Sequence, residues 1–262
     1  MKDSAMNMIN LDKVEIARQK ELFEAIHEKY ASATTDRYAE AYKEEFIYRP
    51  ILAELAGARS LMELASGVGS ASGWMRDHHP ALQISGCDIS ESACHDFAAR
   101  HGRPCYLWDL TKAVDVAQTY DAVLVMGGIH HLVADLPMAF DNIARMLNPG
   151  GKLIMAEPNA DFVLEPLRKL WYRVDTSNFD ADNEHALSHT RLVSQHAAAF
   201  VPGSLRYIGG PAYFLLLQNW VLRMPGGAKK WLAPAAMSME RLWHRLPGKL
   251  PFATFIAVWQ KG

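Results

Sequence analysis

The stretch Leu61-Met62-Glu63-Leu64-Ala65-Ser66-Gly67-Val68-Gly69-Ser70 constrains this chain more than any other. A short apolar run enters a glycine-bearing turn and continues into residues that can open a helix, the pattern of a strand–turn–helix unit. Gly67 and Gly69 let the backbone approach a ligand where a Cβ would collide. The helix start that follows offers free N–H groups. Two more acids stand where strands should end: Asp88 closes Ile84-Ser85-Gly86-Cys87-Asp88, and Asp109 follows Trp108. An open parallel sheet uses such an edge to hold a nucleoside.

The rest of the chain alternates around that unit. Apolar residues at helical spacing predict helices over 11–32 and 36–57, an N-terminal cap spanning 1–57, with Thr35 and Asp36 as caps of the second helix. Short apolar runs at 60–65, 82–87, 104–108, 121–126 and 152–157 read as strands, with helices clearest at 91–101 and 134–147. Strands alternating with helices predict a parallel sheet covered on both faces, a core over 58–160. Asn148-Pro149-Gly150-Gly151 reads as a turn between a helix and a strand. The alternation lapses over 161–202, which reads as a helical lid. Strands return at 204–214 and 252–259, within a segment 203–262 that also holds a long insertion at 215–250.

Composition narrows the function classes. With 262 residues, half of them hydrophobic and 21% charged, one compact domain is expected rather than a disordered chain. A net charge of −2 disfavours nucleic-acid binding by bulk electrostatics, and no nucleic-acid partner is expected. Residues 203–262 carry eight Lys or Arg against Glu240 alone. Cys87, Cys94 and Cys105 are an odd set without a C-x-x-C pair, which suits a reducing cytoplasm and offers no metal spacing. The opening residues are mixed and polar, unlike a secretory signal. The longest apolar run, near Ala212–Leu217, falls far short of the roughly 20 residues that span a bilayer. The expected setting is cytoplasmic.

Each candidate site residue has two readings. Asp88 can accept both ribose hydroxyls, or cap a helix beginning near Ser90. Asp109 can accept from an adenine amino group beside the apolar wall of Trp108, or serve a turn. A dinucleotide fingerprint needs glycine at 72, but Ser72 stands there and Gly73 comes one position late. After the fourth strand, Gly127-Gly128-Ile129-His130-His131 places two histidines at the carboxyl edge. His130, ahead of His131, is the candidate general base; the pair can instead brace the loop. Glu157 can orient that base, contact substrate, or simply end a strand. A metal site from His130, His131 and Asp135 is disfavoured, because adjacent histidines rarely point at one ion. His185, His189 and His196 read as a polar face of the lid.

Taken in order, ELASGVG, GCDIS, LWDL, YDAVLVMGGIHHL and RMLNPGGKLIMAEP resemble the motifs of class I S-adenosylmethionine-dependent methyltransferases, over roughly residues 58–160. The resemblance implies an α/β fold: a seven-stranded, mostly parallel Rossmann-like sheet with its last strand antiparallel, plus N-terminal helices and helical lid insertions. Phe252–Trp259 fits that last strand. It implies S-adenosyl-L-methionine as cofactor, with Glu63, Gly67 and Gly69 bordering its methionine half and Asp88 on the ribose hydroxyls. Ile89 would pack on adenine and Asp109 take its amino group; Ala65, Trp108, Leu110 and Gly127 complete the expected binding set. The family usually has glycine where Ala65 stands.

The physical reading agrees with that likeness. S-adenosylmethionine has no pyrophosphate, so the missing third glycine suits it better than a nicotinamide dinucleotide, and an acid-lined edge favours its cationic groups. Methyl transfer needs no metal and gains mostly from alignment of the reacting atoms. The expected reaction moves a methyl group to O, N or C of a small or amphipathic molecule. A nicotinamide-dependent oxidoreductase and a non-catalytic cofactor-binding module are the alternatives.

Candidate substrate-pocket residues are Tyr30 and Tyr38 from the N-terminal side, and Trp171 and Tyr172 from the lid. The 215–250 insertion interleaves Trp220, Trp231, Trp243 and several leucines with Arg223, Lys229, Lys230, Arg241, Arg245 and Lys249. It reads either as an interfacial segment lying on an anionic membrane, bringing the enzyme to a lipid or lipid-linked substrate, or as helices packed on the sheet with a solvated basic face. The acceptor and the oligomeric state are not legible in the sequence.

Overall fold

A computed structural model describes residues 36–174, 185–218, 224 and 226–262. Seven strands form one sheet: β1 (Ser60–Leu64), β2 (Gln83–Asp88), β3 (Cys105–Leu107), β4 (Tyr120–Met126), β5 (Leu147–Pro158), β6 (Phe200–Ile208) and β7 (Thr254–Lys261). Their spatial order is β3-β2-β1-β4-β5-β7-β6. The first five run parallel, and β7 lies antiparallel between β5 and β6. The expected seven-stranded sheet with an antiparallel last strand is the fold observed. Its switch point, where the order reverses between β1 and β4, opens a crevice at the carboxyl edge.

Alternation along each strand builds two cores. Leu61, Leu124 and Ile154 face one layer, with Ile51, Met75 and Phe97. Met62, Val123 and Leu153 face the other, with Phe140, Ile143 and Trp259. The helices on these faces are α1 (Arg37–Lys43), α2 (Arg49–Glu54), α3 (Ser70–His78), α4 (Glu91–His101), α5 (Leu136–Met146), α6 (Glu165–Val174), α7 (His189–His196) and α8 (Gly226–Trp243). Among the described residues no helix is long and apolar enough to cross a membrane.

Three elements depart from the sequence reading, each for a local reason. The helix expected over 36–57 is interrupted by a π-turn at Glu44–Tyr48. Pro50 has no N–H and its ring would strike a carbonyl one turn back, and the wider turn accommodates it, the Arg49 N–H reaching the Glu44 carbonyl. The strand expected over 204–214 stops at Ile208. Gly209 turns to a φ of +91°, and buried Glu240 takes the Gly210 and Ala212 amides at 2.8 and 2.9 Å, so they cannot join a ladder. Finally, β5 begins before the Asn-Pro-Gly-Gly turn. Its pairing with β4 steps from Tyr120↔Leu147 to Ala122↔Lys152, and Gly150 takes a φ of +73° in the intervening bulge.

The lid histidines are also differently placed. His196 stacks on Phe140, and His189 accepts a hydrogen bond from the Trp259 indole at 3.1 Å. Both belong to an aromatic cluster rather than to a polar face, and burial lowers both pKa values. In the 215–250 insertion, Lys229 is buried, bonded to Asp36 and to the Leu216 carbonyl. It therefore cannot belong to a solvated basic face.

Candidate functional site

The β1–α3 turn is built from left-handed backbone. Ala65, Gly67 and Gly69 have φ of 49°, 50° and 67°. For Ala65 this conformation costs roughly 1 kcal/mol that glycine would avoid. Its methyl group constrains a neighbour: a Cβ on Gly128 would lie 2.8 Å from the Ala65 Cβ. The turn after β1 thus touches the loop after β4, and one small residue there demands a smaller one opposite. A Cβ on Gly67 would meet nothing within 4 Å, whereas one on Gly69 would strike the Phe97 ring at 2.4 Å. Gly67 borders open space; Gly69 serves packing. Gly73, one late for a dinucleotide fingerprint, makes room for the ring of His101, whose Nε2 bonds the Val68 carbonyl at 3.0 Å. His101 was not foreseen; only its position in the last turn of a helix was legible.

Asp88 ends β2 and reaches back to this turn. Its Oδ2 accepts from the Gly67 N–H at 2.9 Å and its Oδ1 from the Ser90 N–H at 3.0 Å. The helix-capping oxygen of α4 belongs to Ser90, which accepts from the Ala93 amide. Asp88 therefore couples the first turn to the second strand end. Ile89 beside it is partly buried.

Asp109 is more occupied. Its Oδ1 accepts from the Thr111 amide and hydroxyl, and its Oδ2 pairs with Lys112. Burial raises its pKa, but the Lys112 and Thr111 hydrogen bonds prevail and lower it below the usual value. Trp108 stacks on Tyr106 with ring centroids 4.6 Å apart, giving the β3 end an aromatic wall. Leu110 is buried in the core, and its carbonyl accepts from Asn142 on α5, which also bonds the Lys112 carbonyl. Asn142, a buried polar residue on an apolar helix face, was a detectable signal.

Glu63 lies in the centre of β1, buried, with one oxygen accepting from the Ser72 N–H at 3.1 Å. Burial pushes its pKa up to about 7. A folded-state pKa above the unfolded value means the folded protein holds the extra proton between about 4.5 and 7, so stability from this group falls as pH rises through that window. Relative to wild type, a Glu63→Gln variant should therefore gain roughly 3 kcal/mol between pH 4.5 and pH 8. Melting temperatures of both proteins across this range measure the effect; parallel curves would refute it.

The third cluster joins β5 to the loop after β4. Gly127 turns the chain with a φ of +68°, its N–H donating to the Ala156 carbonyl. Fully buried Glu157 accepts from the Gly128 and Ile129 amides at 3.0 and 2.8 Å through Oε1. Its Oε2 lies 2.8 Å from His130 Nδ1. With Glu157 ionised, the pair places the proton on Nδ1 and leaves Nε2 as the accepting nitrogen. Burial, then the charge of Arg168, lower the His130 pKa to about 3, so its ring is neutral at pH 7. Burial pushes Glu157 up to about 7 against the pull of the amides it holds. His131 stacks obliquely on His130 with centroids 3.9 Å apart. Among the described residues no group of three His, Cys, Asp or Glu is placed to hold a metal.

Arg168, on α6, donates to the Asn159 and Ala253 carbonyls at 3.0 and 3.3 Å, which seats this helix over the end of β5. Sequence reasoning missed it. Of the substrate-pocket candidates, Tyr30 lies outside the described residues, and only the helical backbone of Trp171 and Tyr172 is described. Tyr38 lines a cleft with Lys230, Pro234 and Arg241, between α1 and α8.

The strand order with its switch point between β1 and β4, an acid at the end of β2 and a glycine turn with open space beside it define a class I, Rossmann-like fold of the S-adenosylmethionine-dependent methyltransferase type. Residues 62–153 match a family model described as a methyltransferase domain. A curated relative, the ubiquinone/menaquinone biosynthesis C-methyltransferase UbiE of Desulfotalea psychrophila, is 25% identical over 122 residues, 45% of this chain and 49% of its own. The chain thus spans about half the length of that relative. Two solved structures share the fold. A S-adenosylmethionine-dependent methyltransferase of Thermotoga maritima has a TM-score of 0.59 at 17% identity, covering 92% of this chain and 99% of that one. The N-methyltransferase NodS of Bradyrhizobium japonicum, in complex with S-adenosyl-l-homocysteine, has a TM-score of 0.52 at 10% identity, covering 90% and 97%.

Proposed function

We propose that this protein transfers a methyl group from S-adenosylmethionine to O, N or C of a small or amphipathic molecule, with His130 removing the acceptor's proton. The observation that carries the reading is the contact between two loops. Gly128, beside the His130–Glu157 pair, sits against Ala65 of the turn that Asp88 anchors. Donor site and base therefore share one edge.

The residues fit the cofactor. Gly67 presents backbone to open space, the Asp88 carboxylate stands beside it for two hydroxyls, and buried Glu63 braces the start of α3 behind them through the Ser72 amide. When bound, S-adenosylmethionine supplies an electrophilic methyl group on a sulfonium. The chain's residues do the rest. Glu157 fixes the tautomer and orientation of His130, and Nε2 accepts the proton that leaves the acceptor. Burial, more than the charge of Arg168, keeps the imidazole neutral and at the same time makes it a weaker base than a free ring. A neutral amine would react without a base, so the pair favours a hydroxyl or a carbon acid. The named relatives act on carbon and nitrogen, and their likeness alone does not set the acceptor atom. The three free thiols support a reducing, cytoplasmic setting.

Calorimetry with S-adenosylhomocysteine and NADH tests this reading. Binding of the first and not the second is expected, followed by a methylated product in mass spectra of a metabolite panel. NADH binding alone would turn the reading to an oxidoreductase, and binding of neither would end both.

A further inference from the structure

Two helices of this protein are amphipathic the wrong way round. On α8 the buried positions are Lys229, Ala233, Ala236 and Glu240, small or charged, at helical spacing. Its exposed positions include Trp231, Leu232, Met239 and Leu242, and Leu246 continues the stripe beyond the helix. Glu240 is the hub of the inner face, accepting from the Tyr42 hydroxyl at 3.0 Å, from two amides and from His244. The same inversion holds at α6. Glu165 is buried and Arg168 turns inward to two carbonyls, while Val163, Leu167 and Leu170 are 62%, 60% and 57% exposed. The segments flanking the two helices touch: the N–H of Val163, just before α6, donates to the carbonyl of Leu250, which follows α8 and is 58% exposed. An exposed apolar face of this extent marks a contact surface.

Charge says what the contact is. From residue 224 to the end the chain carries six Lys or Arg and one acid, Glu240, which is buried, on a protein whose net charge is −2. Lys229, Arg241 and Lys249 are taken by Asp36, Glu45 and Asp161. Lys230, over the ring of 80%-exposed Trp231, and Arg245, between Leu242 and Leu246 in sequence, remain as exposed cations. Leucines and a tryptophan flanked by cations, with no exposed acid on either helix, match the apolar layer and anionic headgroups of a phospholipid surface.

We propose that the outer face of α6 and α8 seats this protein on an anionic phospholipid bilayer. Arg168, on the inner side of α6, ties that helix to the end of β5, so the seated helix lies near the His130–Glu157 pair. The proposal rests on the methyl-transfer reading only for what that nearness means.

Co-sedimentation of the full chain with vesicles tests it, using phosphatidylcholine alone or mixed with phosphatidylglycerol. The expected result is binding to the anionic vesicles at least about tenfold tighter than to the zwitterionic ones, weakened by salt. A Leu167→Glu/Leu242→Glu variant should lose that binding while keeping its affinity for S-adenosylhomocysteine, which shows the fold intact and reports on the methyl-donor reading separately. Absence of vesicle binding would overturn the proposal, and so would equal binding by the variant. A dimer in sedimentation equilibrium that the variant dissociates, with no vesicle binding, would assign the face to a second copy instead.

Discussion

A His130→Ala enzyme is expected to lose about two to four orders of magnitude in kcat, the contribution of a positioned general base. Its affinity for S-adenosylhomocysteine should stay near wild type, because the ring bonds Glu157 rather than the turn that Asp88 anchors. Glu157→Gln separates base from brace. The amide oxygen can still accept from Gly128 and Ile129, so the loop keeps its shape. The amide nitrogen, turned to His130 Nδ1, would impose the opposite tautomer and put a proton on Nε2. A loss in kcat close to that of His130→Ala, with KM little changed, is the expected result. Steady-state kinetics with the cognate acceptor decide it, and unchanged turnover in His130→Ala would remove the residue from the mechanism.

The second large effect concerns the donor. Asp88→Ala removes the carboxylate proposed to hold the two ribose hydroxyls, and charge-assisted hydrogen bonds contribute about 1.5–3 kcal/mol each. Affinity for S-adenosylhomocysteine should fall at least about 100-fold. Loss of the Gly67 and Ser90 contacts lowers the melting temperature as well. Asp109→Ala should weaken binding far less, by about tenfold, because the Thr111 amide and hydroxyl and the Lys112 ammonium already take three of its acceptor positions and pair its charge. Calorimetry on the two variants gives the comparison directly. Equal losses would mean that Lys112 releases Asp109 when the nucleoside arrives.

Much of the core was legible because its signals are local. Leu61–Leu64 reads as a buried strand, Gly67 and Gly69 as a turn, and Asp88 as a strand end, without reference to distant residues. The helix at 91–101 was anticipated to the residue, with Ser90 capping it and Gly102 in a left-handed cap closing it. Failures came where distant groups intervene. Residues 209–214 look like strand until Glu240, far along the chain, claims the Gly210 and Ala212 amides. His189 and His196 look like a polar face until Phe140 and Trp259 surround them. Glu157 carried three readings in sequence; only the approach of the β4 loop brings His130 Nδ1 to 2.8 Å from it.

The 215–250 insertion draws the same line most clearly. Its tryptophans, leucines and cations recur at helical spacing, and that periodicity belongs to the sequence. Periodicity fixes that a helix has two unlike faces and is silent on which one meets the protein. The tertiary structure decided this by offering α8 polar partners, Asp36 for Lys229 and Tyr42 with two amides for Glu240. Buried charges must be paired, so the polar face turned inward and the leucines were left outside. The sequence determined the sheet, the glycine turn after β1 and the amphipathic helices; only packing determined which face each helix shows.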